Sequence, residues 1–158
     1  MKFAGLAAFL LSAQFAIATP AFPTAPNESL TPGELCKDAA SFRYPEKIPY
    51  CNRVVDPNLK ADIIDNYDEI LHFRIHTMPR NKFKIDHYIP LCMGGSNSSK
   101  NLWPQHESVY QVTDMLEEKL CEKMAEGVLL QKEAVELIKR AKQHLNEADA
   151  IYEQINLL

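Results

Sequence analysis

The densest concentration of chemically capable residues lies between positions 85 and 104. It reads Ile85-Asp86-His87-Tyr88-Ile89-Pro90-Leu91, then Gly94-Gly95, then Asn101-Leu102-Trp103-Pro104. Asp86 offers a hard oxygen of the kind that Mg2+ and similar ions prefer. His87 offers an imidazole whose unperturbed pKa of about 6.5 leaves it partly neutral near pH 7 and able to accept a proton. Upstream, the stretch from His72 to Lys84 carries Arg74, Arg80, Lys82 and Lys84 with no acid among them, and Lys100 follows the glycines. The whole chain has a formal net charge of −4, so any polyanion must be gripped by this local patch rather than by overall charge. Its plainer reading is a solvated loop.

Elements must hold these groups in place. Phe83 to Leu91 is rich in Phe, Ile and Tyr and alternates, which predicts a strand. Gly94-Gly95 and the polar run Ser96 to Lys100 predict a turn and loop, and Asn101 to Trp103 a second short strand. Neighbouring residues on an ideal strand face opposite ways, so Asp86 and His87 can share a site only if the pleat is distorted, as Pro90 and the glycines allow. Asp56-Pro57 is a good helix opening, and Leu59, Ile63, Ile64, Tyr67, Ile70 and Leu71 continue it at helical spacing to about Leu71. After Pro104 a long helix is expected, with Val109, Val112, Leu116, Leu120 and Met124 on one side and a stop at Gly127. A last helix carries Ala134, Ile138, Ala141, Leu145 and Ala148 toward the core, and Trp103 is expected in the core as well.

Taken together, D-H-x-x-P-L, the glycine-bearing loop and N-L resemble the HNH, or His-Me finger, nucleases. The likeness extends to a secreted bacterial branch of that family through Leu35-Cys36, Arg43 to Arg53, Ile85 to Leu91, Gly94 to Asn97 and Asn101 to Pro104. The resemblance implies a ββα-metal core and hydrolysis of phosphodiesters in DNA, with RNA as an alternative substrate. It implies His87 as the general base and Asp86 as a metal ligand. Asn101 resembles the family asparagine that holds the loop and orients the histidine. The helix after the hairpin should complete the metal site; it lacks the usual histidine or asparagine there, but Asp114 and Glu117 lie one turn apart. Glu117 is the first choice, with Asp114 and His106 in reserve, although acids in mid-helix more often face water. One divalent ion is implied, Mg2+ first, with Mn2+ or Zn2+ as alternatives. Arg80, Lys82, Lys84 and Lys100 are the candidate phosphate contacts, which would make binding fall steeply with salt. Nothing resembles a base-reading element. His72, His76 and His144 lack such a context and are read as surface or core residues.

The amino terminus reads as an export signal, with Lys2 ahead of an apolar run from Phe3 to Ile17 that is too short to span a bilayer, and a cleavage site after Ala18. A retained membrane anchor is the competing reading. Removing residues 1–18 leaves about 140, room for one domain. Residues 19–33, with Pro20, Pro23, Pro26 and Pro32, are expected as a flexible leader, and 34–158 as the nuclease domain. In an oxidising compartment four cysteines predict two disulfides; Cys36 and Cys51 enclose a turn-rich stretch and are expected to pair, leaving Cys92 for Cys121. A zinc site is the alternative, but no C-x-x-C spacing exists. The sequons at Asn27 and Asn97 matter only in a host that glycosylates. The resulting expectation is an α+β fold, mostly helical, with one helix before a ββα core and one long helix after it. It is expected to be secreted or periplasmic, to act on nucleic acid and, once the signal is cut, to have no membrane partner; the sequence does not say whether an immunity partner exists. A non-catalytic nucleic-acid or surface-binding module on the same scaffold is the alternative, and a disulfide-stapled structural protein the third reading.

Overall fold

A computed structural model describes residues 20–39 and 41–158; the expected export signal lies outside them. The first helix, α1 (Pro57–Leu71), begins where its residues dictate. Asp56 Oδ1 accepts from the Asn58 amide at 2.7 Å, proline occupies the first turn, and Ile63, Ile64 and Tyr67 form the buried face. The chain then makes two short 3-10 turns and enters strand β3 (Phe83–His87), which pairs antiparallel with β4 (Leu102–His106) so that Asp86 faces Trp103 and His87 faces Leu102. A smaller hairpin, β1 (Ser41–Arg43) with β2 (Ile48–Tyr50), precedes α1. Helices α2 (Glu107–Ala125), α3 (Gln131–Gln143) and α4 (Ala148–Asn156) follow β4. The described residues thus form a mixed α/β structure with two small antiparallel sheets, about half helical.

Two apolar clusters organise it. One joins Ile63, Ile64 and Tyr67 of α1 to Phe83, Ile85, Tyr88, Leu102, Trp103 and Val109; the other gathers Leu116, Leu120 and Met124 of α2 with α3, α4, Ile48, Ile89 and Met93. Trp103 is fully buried in the first. Two disulfides, Cys36–Cys51 and Cys92–Cys121, with Cα atoms 5.8 and 5.9 Å apart, tie the small hairpin and the loop after β3 to the rest. Among the described residues no helix is long and apolar enough to cross a membrane.

Several expectations need correction. The proline-rich segment is not a loose leader over residues 20–33: Phe22 stacks on His106 with ring centroids 3.8 Å apart, and buried Thr31 bonds the Tyr67 hydroxyl and the Leu102 carbonyl. Carbonyls that proline leaves without a helix or sheet are taken by side chains, as Pro26 is by Gln143 and Pro32 by Lys139. Rigid prolines have less entropy to lose on ordering, so few contacts suffice. Strand β3 stops at His87 rather than Leu91, while β4 runs on through Pro104 to His106. Val112 is exposed, and Thr113 takes the buried position on α2. The single last helix is two helices, broken at His144, which lets α4 turn back and pack on both α2 and α3. The apolar spacing runs unbroken through the turn, which is why periodicity alone does not reveal it.

Candidate metal centre

The sheet presents two faces because side chains alternate. Phe83 and Ile85 enter the apolar cluster shared with α1, whereas Lys84 and Asp86 lie against acids of α2. Beyond the end of the strand Tyr88 joins Phe83 and Ile85 in the same cluster. The pairing of β3 with β4 stays regular through Asp86 and His87, so the distortion expected between that pair is not seen in the ladder. On α2, Glu117 lies one turn after buried Thr113 and next to buried Leu116, so the buried face of the helix carries it inward, and Asp114 lies one turn before it.

Asp86, Asp114 and Glu117 bring one carboxylate oxygen each to within 4.8 Å of one another, a grouping that could hold a metal ion. Two lysines counter these three acids. Lys84 Nζ bonds both oxygens of Asp114 at 2.8 and 2.9 Å and lies 3.1 Å from Asp86 Oδ2. Lys142 of α3, wholly buried, lies 2.6 Å from Glu117 Oε1 and donates to the His87 carbonyl at 2.6 Å. Despite these short distances, buried Asp86 Oδ2 and Glu117 Oε1 receive no properly aligned hydrogen bond. Buried carboxylate oxygens with unspent lone pairs, in an all-oxygen set carrying one more negative than positive charge, fit a hard divalent cation.

The electrostatics differ at each acid. Burial opposes ionisation of Asp86, but Lys142 and Lys84 outweigh it and hold its pKa below the usual aspartate value. Burial pushes Glu117 above the usual glutamate value, with Lys142 opposing and Asp86 reinforcing. Lys84 is held above the ordinary lysine value because Asp86 and Asp114 overcome the burial that works against its charge.

His87 is buried, and burial lowers its pKa against the pull of Asn97 and Asp86, with Arg53 and Lys142 pushing it further down. Its Nε2 lies 3.1 Å from Asn97 Oδ1, while Asn97 Nδ2 donates to the Asn52 carbonyl at 2.7 Å. That second bond fixes which end of the amide meets the ring. An amide oxygen can only accept, so Nε2 carries the proton and Nδ1 the free lone pair.

The remaining expected residues are placed as follows. Asn101 clamps the loop rather than the ring: its amide accepts from the Ile89 nitrogen at 2.9 Å and donates to the carbonyls of Ile89 at 2.9 Å and Ser96 at 3.0 Å. Gly95 lies so close that a Cβ there would fall 1.8 Å from the Ile89 oxygen. His106 caps α2 through Ser108 and is not among the clustered acids. Arg80 donates to the Phe83 carbonyl and Lys82 pairs with Glu107 at 2.5 Å, both at the end of the hairpin away from His87. Lys100 is exposed beside Glu34. Of the four basic residues Lys84 alone touches the acid cluster.

Lys142, Asn97 and Arg53 carry roles that motif reading did not assign. Lys142 had a detectable signal, since it falls four residues after Ile138 and therefore beside the apolar face of α3. Asn97 and Arg53 end two of the segments that carry the family resemblance, but only the fold shows that both lie near His87. In comparisons with known proteins the chain matches no family profile, no curated sequence and no solved structure.

Proposed function

We propose that the chain is a secreted or periplasmic metal-dependent endonuclease that hydrolyses phosphodiesters of DNA, with RNA as an alternative substrate and little sequence preference. The observation that carries this reading is the convergence of Asp86, Asp114 and Glu117 beside a histidine whose neutral form and tautomer are both favoured. The succession of β3, β4 and α2 supports a ββα-metal core, with Asp86 near the end of β3 and the other two acids in the middle of α2.

A divalent ion held by the three carboxylates, Mg2+ as the first choice, would supply positive charge to the phosphate and to the departing oxygen. The protein's own groups do the rest. Asn97 holds the imidazole so that Nδ1 can take a proton from water as its oxygen attacks phosphorus and the P–O bond to the leaving sugar oxygen breaks. Asp86 stabilises the imidazolium so formed, and Asn101 keeps the loop under the ring in place. Arg53, close enough to depress the His87 pKa, is placed to attract the phosphate.

The test is plasmid cleavage by the mature protein with Mg2+ or Mn2+, beside an EDTA control and the His87→Ala variant. Cutting should require the ion and fall by roughly 10²- to 10⁴-fold in the variant. Folded wild type that binds DNA but cuts with no divalent ion would favour the non-catalytic binding module. The two lysines already neutralising most of the acid cluster are the observation on that side.

A further inference from the structure

We propose that Lys84 is an internal counter-ion that holds the acid cluster together without metal and is displaced when a divalent ion enters. This rests on the metal-site reading above and adds to it a residue that sets metal affinity. Both lysines contact the cluster, but they are held differently. Lys142 is wholly buried and fastened to the His87 carbonyl as well as to Glu117. The Lys84 side chain is 35% exposed, and its ammonium donates to both oxygens of Asp114 and pairs with Asp86, two of the three carboxylates that would hold the ion. A divalent ion and an ammonium cannot both occupy the space between those two carboxylates, because their repulsion is unscreened at such separations. Lys84 is the one that can leave.

It also has somewhere to go. Its Nζ already lies 4.6 Å from the centroid of the Tyr110 ring, whose face attracts a cation that has lost its carboxylates. Asp114, half exposed, marks the side of the cluster open to solvent. A freed ammonium on that side is available to a substrate phosphate, which gives Lys84 the anion contact that its pairing with Asp86 and Asp114 denies it. Metal entry therefore couples two events, filling of the acid cluster and release of a positive charge toward the substrate.

The experiment uses the mature protein, its Lys84→Met variant, which keeps the apolar stem, and Glu117→Gln as a control. Mn2+ affinity is measured by calorimetry, and the acetylation rate of each lysine by mass spectrometry with and without Mn2+. The expected result is Mn2+ binding about tenfold or more tighter in Lys84→Met, weakened in Glu117→Gln, with Lys84 of the wild type acetylated several-fold faster once Mn2+ is bound while exposed Lys132 does not change. If the wild type binds Mn2+ but Lys84→Met binds no more tightly, or Lys84 labelling does not rise, the counter-ion role is overturned and the metal site stands. If neither protein binds Mn2+ or Mg2+, the metal-site reading fails and takes this proposal with it.

Discussion

Replacing Lys142 by methionine isolates the energetics of the buried charge cluster. Lys142 is wholly buried, and its ammonium is shared between Glu117 and the His87 carbonyl. Removing one partner of a buried pair typically costs about 3–5 kcal/mol, because the other charge is left uncompensated. Leaving the His87 carbonyl without this donor adds about 1 kcal/mol or more. Glu117 has an escape, since burial already raises its pKa and it can take up a proton. The net loss is therefore expected near the lower bound, about 3 kcal/mol. With a urea m-value of about 1–3 kcal/mol/M, the midpoint should fall by more than about 1 M, and thermal unfolding by roughly 6–12 °C. Lys142→Met combined with Glu117→Leu removes both charges and should regain most of that loss, because apolar replacement of a buried pair is often neutral. Urea unfolding of the two single variants and the double variant, disulfides intact, gives the coupling directly. A loss below about 1 kcal/mol in Lys142→Met, or a double variant as unstable as the sum of the singles, would refute the claim that these charges support one another.

Two further outcomes test the frame around the site. Gly95→Ala should destabilise the chain strongly, since its Cβ would meet the Ile89 oxygen at 1.8 Å and the Asn101 amide at 2.7 Å; wild-type stability in that variant, read from urea unfolding, would show that the loop is not clamped as described. Stability should also fall at alkaline pH through Tyr67. Burial raises its pKa against the opposing hydrogen bonds from Thr31 and Asn27, so the unfolded chain loses this proton first. Its contribution is full below about pH 10 and is lost as pH rises from there through the folded pKa. Tyr67→Phe should flatten the fall in melting temperature across that range, and an unchanged slope would assign it to other groups.

Helix α1 was readable because its determinants are local. Asp56 and Pro57 start it, and a single apolar stripe identifies its buried face. Both disulfides were readable for a similar reason, as four cysteines and one short turn-rich loop leave few pairings. The break at His144 was not, because the apolar spacing continues across it and only packing of α4 on α2 requires the turn. The proline-rich segment misled for the opposite reason: its composition is that of a loose chain, but Tyr67, Lys139 and Gln143, all distant in sequence, supply the bonds that order it.

By itself the sequence determined which residues are able to do chemistry, since residue type sets what a side chain can ligate or protonate; Asp86 and His87 stood out in their motif, and Asp114 and Glu117 through the resemblance and their one-turn spacing. Tertiary structure alone decided how they are charged and held. Lys142 is 55 residues from His87, Lys84 is 30 from Asp114, and Asn97 reaches Asn52 across 45. Burial and ion pairing depend on what lies alongside in space, and no local pattern records that.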